Sequence, residues 1–226
     1  MSKLAFIFPG QGAQKAGMGK DFYENSEAAR SFFDHAQEIL DFDLKEMCFG
    51  EHEELNLTEY TQPCMVSVCL AIVQELKKRG INPDITAGLS LGEYAAVAAA
   101  GGMNELDAIK LVRRRGILMQ NTVPTGEGAM AAVLGLDAKK IEEILESFEN
   151  VWIANYNCPG QIVITGLTNE VKQASLALKE AGAKRVVELK VSGPFHSLLL
   201  KPAGEALLKE MESMSFSPLQ VPYIAN

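Results

Sequence analysis

The stretch Ile85-Thr86-Ala87-Gly88-Leu89-Ser90-Leu91-Gly92-Glu93-Tyr94 carries the decisive reading of this chain. A short apolar run ends at Gly88, and an alanine-rich segment follows Gly92 as far as Ala100. The order is strand, sharp turn, helix. Ser90 sits between the two glycines, so the segment matches Gly-x-Ser-x-Gly. The pattern alone is common, and its placement gives it weight. Glycines without a Cβ permit a tight turn that pushes the serine into an exposed, strained position. The amino end of the following helix offers N–H groups and a positive dipole, suited to an oxyanion. The competing reading is an ordinary strand-to-helix turn with Ser90 as a cap.

Outward from this elbow the pattern is regular. Residues 4–8 form an apolar run that stops at Pro9-Gly10, which reads as a buried strand. Helical spacing runs over 20–40 through Phe22, Ser26, Ala29, Phe33, Ala36 and Leu40. Residues 51–54 read as an acidic loop. A helix over 60–79 carries Pro63 in its first turn and stops at Gly80. After the elbow helix, Gly101-Gly102 turns the chain and Asn104 caps a helix to about residue 120. Strands alternating with helices predict a parallel α/β layer.

Beyond residue 126 the rhythm changes. Strands are expected at 129–134, 151–154, 161–165 and 185–191, with helices at 137–148 and 168–181. That order is β-α-β-β-α-β, the ferredoxin-like arrangement. The expected organisation is a large α/β subdomain over 1–126, an inserted small subdomain over 127–191, and a return to the large one over 192–226. A helix over 202–214 and a strand over 221–224 complete it.

Composition bounds the function. The chain has 226 residues, 47% of them hydrophobic, which at roughly 150 residues per domain is about one and a half domains. The inserted unit accounts for the remainder. A formal net charge of −8 argues against nucleic acid or an anionic membrane as partner. Cys48, Cys64, Cys69 and Cys158 have neither CxxC nor metal-type spacing, so reduced thiols of a cytoplasmic protein are expected, with no metal and no cofactor. The five apolar residues before Pro9 are too few for a signal-peptide core, and the small-apolar stretch 94–103 is too short to span a membrane.

A serine nucleophile needs a base, and the chain has three histidines. His35 falls on the polar side of a helix and His52 in an acidic loop. His196, in Val191-Ser192-Gly193-Pro194-Phe195-His196-Ser197, follows the strand where the small unit rejoins the large one, and elimination favours it. Arg113-Arg114-Arg115 is the other conspicuous feature. The elbow helix climbs about 15 Å and the next runs back about 16 Å at 1.5 Å per residue, so antiparallel pairing returns the arginines to the level of Ser90. Arg114 shares a polar stripe with Asp107 and Lys110. Arg113 and Arg115 lie on apolar faces, where an arginine either snorkels or meets an anion, and periodicity does not choose between them. A guanidinium beside a serine nucleophile would select a carboxylate-bearing substrate.

Several segments together resemble one family, the malonyl-CoA:acyl carrier protein transacylases. They are Phe8-Pro9-Gly10-Gln11-Gly12-Ala13-Gln14, Tyr60-Thr61-Gln62-Pro63, the elbow, Arg115-Gly116 with Met119-Gln120, 155–161, and 193–197. The resemblance implies a hydrolase-like α/β fold with an inserted ferredoxin-like unit. It implies that Ser90 attacks the malonyl thioester, with His196 as base and then acid. Backbone N–H groups of Gln11 and Leu91 would form the oxyanion hole. The resemblance gives the carboxylate clamp to Arg115, the site neighbour that crowds an α-methyl group to Phe195, and lining roles to Asn157 and Gln62. The implied partners are malonyl-CoA and the phosphopantetheine arm of acyl carrier protein, acting on a monomer in the cytoplasm. The chain departs from the pattern at Leu89, where the family often has His. It also ends before the family's last strands and helices, which include a backbone carbonyl that orients the histidine. The alternatives are a thioesterase or esterase on the same elbow, and a C-terminally shortened chain with little turnover.

Overall fold

The computed structural model describes residues 3–124, 126–189, 191 and 193–226. The elements run β1 (Ala5–Phe8), α1 (Lys20–Asn25), α2 (Glu27–Glu38), α3 (Leu44–Phe49), α4 (Thr58–Lys78), β2 (Ile85–Gly88), α5 (Gly92–Ala99) and α6 (Glu105–Thr122). They continue with β3 (Gly128–Leu134), α7 (Ala138–Leu145), β4 (Val151–Cys158), β5 (Gln161–Leu167), α8 (Thr168–Glu180), β6 (Arg185–Glu188), α9 (Lys201–Glu212) and β7 (Tyr223–Ile224). Two compact units emerge, one comprising Met1–Ile117 with Leu207–Asn226 and the other Leu118–Ala206.

The first unit holds a parallel sheet in the order β1-β2-β7. Ala5 pairs with Ile85 and Phe8 with Gly88, so the first two strands end level with each other, just before the elbow. Phe6 and Phe8 are buried, but Ile7 on the opposite face is 77% exposed. The apolar run at 4–8 is therefore buried on one face only, where it meets the core. That core gathers Phe33, Leu44, Leu70, Ala95, Ala96, Ile109 and Val112 from the surrounding helices. The small residues along α5 let it pack close to both β1 and β2.

The single helix expected over 20–40 is two. Ser26 adopts extended backbone, φ −127° and ψ 119°, and its hydroxyl accepts from the Ala29 N–H as the cap of α2. The same hydroxyl donates to Glu75 at 2.5 Å. Ser26 occupies an apolar slot in the periodicity because it is buried, yet its backbone N–H closes α1 on Phe22 O and its hydroxyl starts α2. α4 begins two residues earlier than expected, at Thr58, and a 3-10 turn at Glu53–Asn56 takes up the second half of the expected acidic loop.

The second unit is a four-stranded antiparallel sheet in the order β4-β5-β3-β6. With its two helices this is the β-α-β-β-α-β arrangement, with the first and third strands central. Ala131, Val133, Ile141, Ile164, Val171, Ala174 and Leu178 form the core between sheet and helices. On the other face, Met130, Ala132 and Val163 pack with Val123, Phe195 and Leu200. β4 runs four residues beyond its expected end, its pairing with β5 interrupted by bulges near Ala154 and Asn157. β6 ends at Glu188 rather than 191; Lys190 and Ser192 lie outside the described residues.

Candidate active site

The elbow begins where β1 and β2 end together. Leu89 N–H donates to Phe8 O at 3.1 Å, Gly92 N–H to Leu89 O at 2.9 Å and Glu93 N–H to Ser90 O at 3.2 Å. Ser90 itself has φ 48°, a conformation costly for any residue with a Cβ. The two glycines serve close approach. A Cβ on Gly88 would stand 2.1 Å from the Gly92 carbonyl carbon, and one on Gly92 would stand 2.3 Å from Phe8 O. α5 is thereby pressed against the ends of both strands, with Ser90 half-exposed at the turn and Leu91 buried at the helix's amino end.

The loop after β1 leaves beside this turn. A Cβ on Gly10 would meet Leu89 O at 2.9 Å and the Leu89 side chain at 3.3 Å. Leu89, half-exposed, thus lies over the loop that carries Gln11. The Gln11 side-chain amide donates to Thr58 Oγ1 at 3.1 Å. Gln62, one turn further along α4, is fully buried.

The arginines have three different fates. Arg113 is buried and donates from Nε and Nη2 to Asp41 Oδ1 and Oδ2 at 2.9 and 3.0 Å. Its Nη1 donates to Glu59 O at 2.7 Å and to Glu59 Oε2 at 3.1 Å. This guanidinium holds the Asp41 carboxyl below the usual carboxylate range, chiefly through the hydrogen bonds. Arg114 is exposed and paired with Glu210 at 2.9 Å, so it is a surface ion pair rather than a merely solvated charge. Arg115 is half-exposed, with its guanidinium carbon 5.4 Å from the Tyr94 ring centroid. Tyr94 is one helical turn beyond Ser90, so Arg115 approaches the elbow while Arg113 is committed to Asp41 and Glu59. Periodicity could not separate these two, because their partners lie far away in sequence.

The remaining predicted residues belong to the second unit. His196 is exposed and has φ 58°. Its loop is held by Ser197 Oγ, which donates to Pro194 O at 2.7 Å, and by Phe195, which is buried in the cluster with Val123, Met130 and Leu200. Asn157 is exposed near the end of β4. Of the other histidines, His35 is exposed, and His52 pairs with Glu46 Oε1 at 3.1 Å. Among the thiols, burial pushes Cys69 up to about 11, and a hydrogen bond with Cys48 followed by burial raises Cys64. Neither offers a ready thiolate at neutral pH. Among the described residues no His, Cys, Asp and Glu cluster has the makings of a metal site.

Residues 5–226 match the acyl transferase domain family. The chain is 48% identical over 231 residues to the malonyl CoA-acyl carrier protein transacylase of Bacillus subtilis, covering 100% of this chain and 73% of that protein. Its Staphylococcus aureus counterpart is 44% identical, with 74% of that protein covered. Among solved structures, an acyl carrier protein S-malonyltransferase from Vibrio cholerae superposes with a TM-score of 0.95 at 42% identity, over 100% of this chain and 75% of that one. A malonyl-transacylase solved in complex with a type II polyketide acyl carrier protein gives 0.96 at 40% identity, over 100% of this chain and 74% of that one. This chain therefore belongs to the acyl transferase domain family, among the malonyl CoA-acyl carrier protein transacylases.

Proposed function

We propose that this protein transfers a malonyl group from malonyl-CoA to the pantetheine thiol of acyl carrier protein through an acyl-serine. Ser90 Oγ attacks the thioester carbonyl while the His196 imidazole takes its proton. The C–S bond then breaks and the proton passes to the departing CoA sulfur. In the second half the pantetheine thiol gives its proton to His196 and attacks the acyl ester, and Ser90 leaves with that proton restored. Backbone N–H groups of Gln11 and Leu91 receive the oxyanion. Arg115, backed by the Tyr94 ring, grips the malonyl carboxylate with two parallel hydrogen bonds. Phe195 restricts the space beside the acyl group, and Asn157 and Gln62 support the site. The segment 127–191 serves as an inserted small subdomain. The cytoplasm is the proposed location, in keeping with four cysteines that form no disulfide.

The observation that carries this reading is the strained Ser90 between β2 and α5, in a chain alike along its whole length to malonyl transacylases. Intact-mass measurement after mixing with malonyl-CoA tests it. The expected result is one malonyl group on Ser90, discharged by added holo acyl carrier protein. Free malonate released without an adduct would overturn it in favour of hydrolysis.

A further inference from the structure

The roles above leave unexplained why the Gln11 side chain is anchored and why a buried arginine stands beside Arg115. The loop Gly10-Gln11-Gly12 is intrinsically loose, and Gly12 has φ 111°. A backbone N–H that stabilises an oxyanion must be held to within a few tenths of an ångström, which a glycine-flanked peptide cannot do for itself. The side chain available within this tripeptide is that of Gln11, and its amide reaches Thr58 Oγ1 at 3.1 Å. A second tie runs parallel to it. Gln14 Nε2 donates to Asn56 Oδ1 at 3.2 Å, while Gln14 Oε1 accepts from Gly12 N–H at 2.8 Å.

Both ties end on the junction before and at the start of α4, and that junction is itself locked. Thr61 Oγ1 bonds Leu55 O at 2.6 Å and Leu57 O at 3.0 Å. Behind it, α6 presents Gly116, where a Cβ would stand 2.7 Å from both Glu59 Cα and Thr58 O. One turn earlier, Arg113 grips the Glu59 carbonyl and carboxylate and, through Asp41, the loop after α2. The rings of Phe42 and Tyr60 lie 5.2 and 4.9 Å from its guanidinium carbon.

We propose that Thr58, on the block clamped by Arg113, is a positioning residue whose hydrogen bond to the Gln11 side chain sets the direction of the Gln11 backbone N–H toward the carbonyl under attack. This rests on the oxyanion role given to Gln11. The test is the rate of Ser90 acylation in Thr58→Val, Thr58→Ser, Gln11→Met and the Thr58→Val/Gln11→Met double variant of the full chain. Two acyl donors are used: malonyl-CoA, and p-nitrophenyl acetate, which needs neither the carboxylate clamp nor CoA recognition.

Losing an oxyanion donor outright costs 10²–10³ in rate, so misdirecting one is expected to cost about 10-fold. Thr58→Val and Gln11→Met should each lose about that factor with both donors, at unchanged KM for malonyl-CoA and with the protein still folded at the assay temperature in thermal melts. Thr58→Ser should recover to within about 2-fold, and the double variant should lose no more than either single one. Wild-type rates in Thr58→Val and Gln11→Met, or losses that multiply in the double variant, would overturn the proposal. Should Thr58→Val not fold, Gln11→Met decides alone, since it removes the same bond from a partly exposed loop. A wild-type chain that is acylated by p-nitrophenyl acetate but never by malonyl-CoA would defeat the malonyl reading while leaving the positioning measurable.

Discussion

Two turns hold a non-glycine residue at positive φ, and they do so by different means. At the elbow Ser90 has φ 48°, and in the loop of the antiparallel unit His196 has φ 58°. Among the described residues the other positive-φ positions are glycines. Ser90 is bracketed by β2 and α5, and the main chain itself enforces the turn through the contacts that only Gly88 and Gly92 allow. His196 lies in an irregular stretch, followed by the one-turn 3-10 helix Leu198–Leu200. There a side chain, Phe195, is sunk into the core, with two turn bonds, Phe195 N–H to Gly193 O at 3.0 Å and Ser197 Oγ to Pro194 O at 2.7 Å. Strain of similar size is thus borne by backbone interlock in one region and by an aromatic anchor in the other. Strain of this kind is kept where a surrounding structure over-determines it, in keeping with the catalytic roles proposed for both residues.

The largest expected effects test whether both strained residues belong to one reaction. Ser90→Ala and His196→Ala should each lower malonyl transfer by about 10⁴-fold or more, and the double variant should be little worse than either, as for residues acting as a unit. Adduct and turnover assays would show it. Independent, multiplying losses would separate the two turns. Next comes the means of support. Gly92→Ala should cost more than about 4 kcal/mol and leave no soluble folded protein, because backbone cannot yield to a Cβ. Phe195→Ala should cost about 3 kcal/mol, as large-to-small core changes do, yet give a folded protein in thermal melts. Equal tolerance at both positions would erase the distinction.

The same contrast explains what could be read in the sequence. A turn enforced by backbone contact demands glycine at fixed places, and Gly88, Gly92 and Gly10 announce it locally. The β-α-β-β-α-β order was legible for the same reason, since each element declares its own period. Contacts between distant segments carry no such local mark. Arg113 and Arg115 look alike in periodicity; Asp41 and Glu59, which are 72 and 54 residues away, occupy Arg113 and leave Arg115 to Tyr94. Tyr94 lies inside the motif, one turn from Ser90, where its place is legible although its pairing with Arg115 is not. The anchoring of Gln11 by Thr58 had no signal, because a threonine at a helix start reads only as a helix boundary. Ser26 is the converse case, a buried polar cap that falls on an apolar position of the helical period.

In the proposed reaction selectivity divides between the two regions as well, with Arg115 beside Tyr94 offered to the carboxylate and Phe195 contributed by the histidine loop. Arg115→Ala should cut malonyl transfer by about 10²-fold, the scale of losing a charge-assisted bidentate contact, while sparing acetyl transfer. Equal losses with both donors would remove the clamp from Arg115.

The smallest effect isolates the strain from the chemistry. Glycine adopts positive φ without a steric penalty, so Ser90→Gly and His196→Gly relieve the native state, each by about 1 kcal/mol. Opposing this, glycine adds conformational freedom to the unfolded chain, worth about 0.4–1 kcal/mol. At the elbow, α5 and the strand ends fix the turn whatever residue occupies it, so the relief should survive as a small rise in melting temperature over Ser90→Ala, which keeps the Cβ. In the histidine loop a glycine beside Phe195 also loosens the anchor, and the melting temperature of His196→Gly should match that of His196→Ala. Equal rises at both sites would mean that the histidine loop is interlocked as firmly as the elbow.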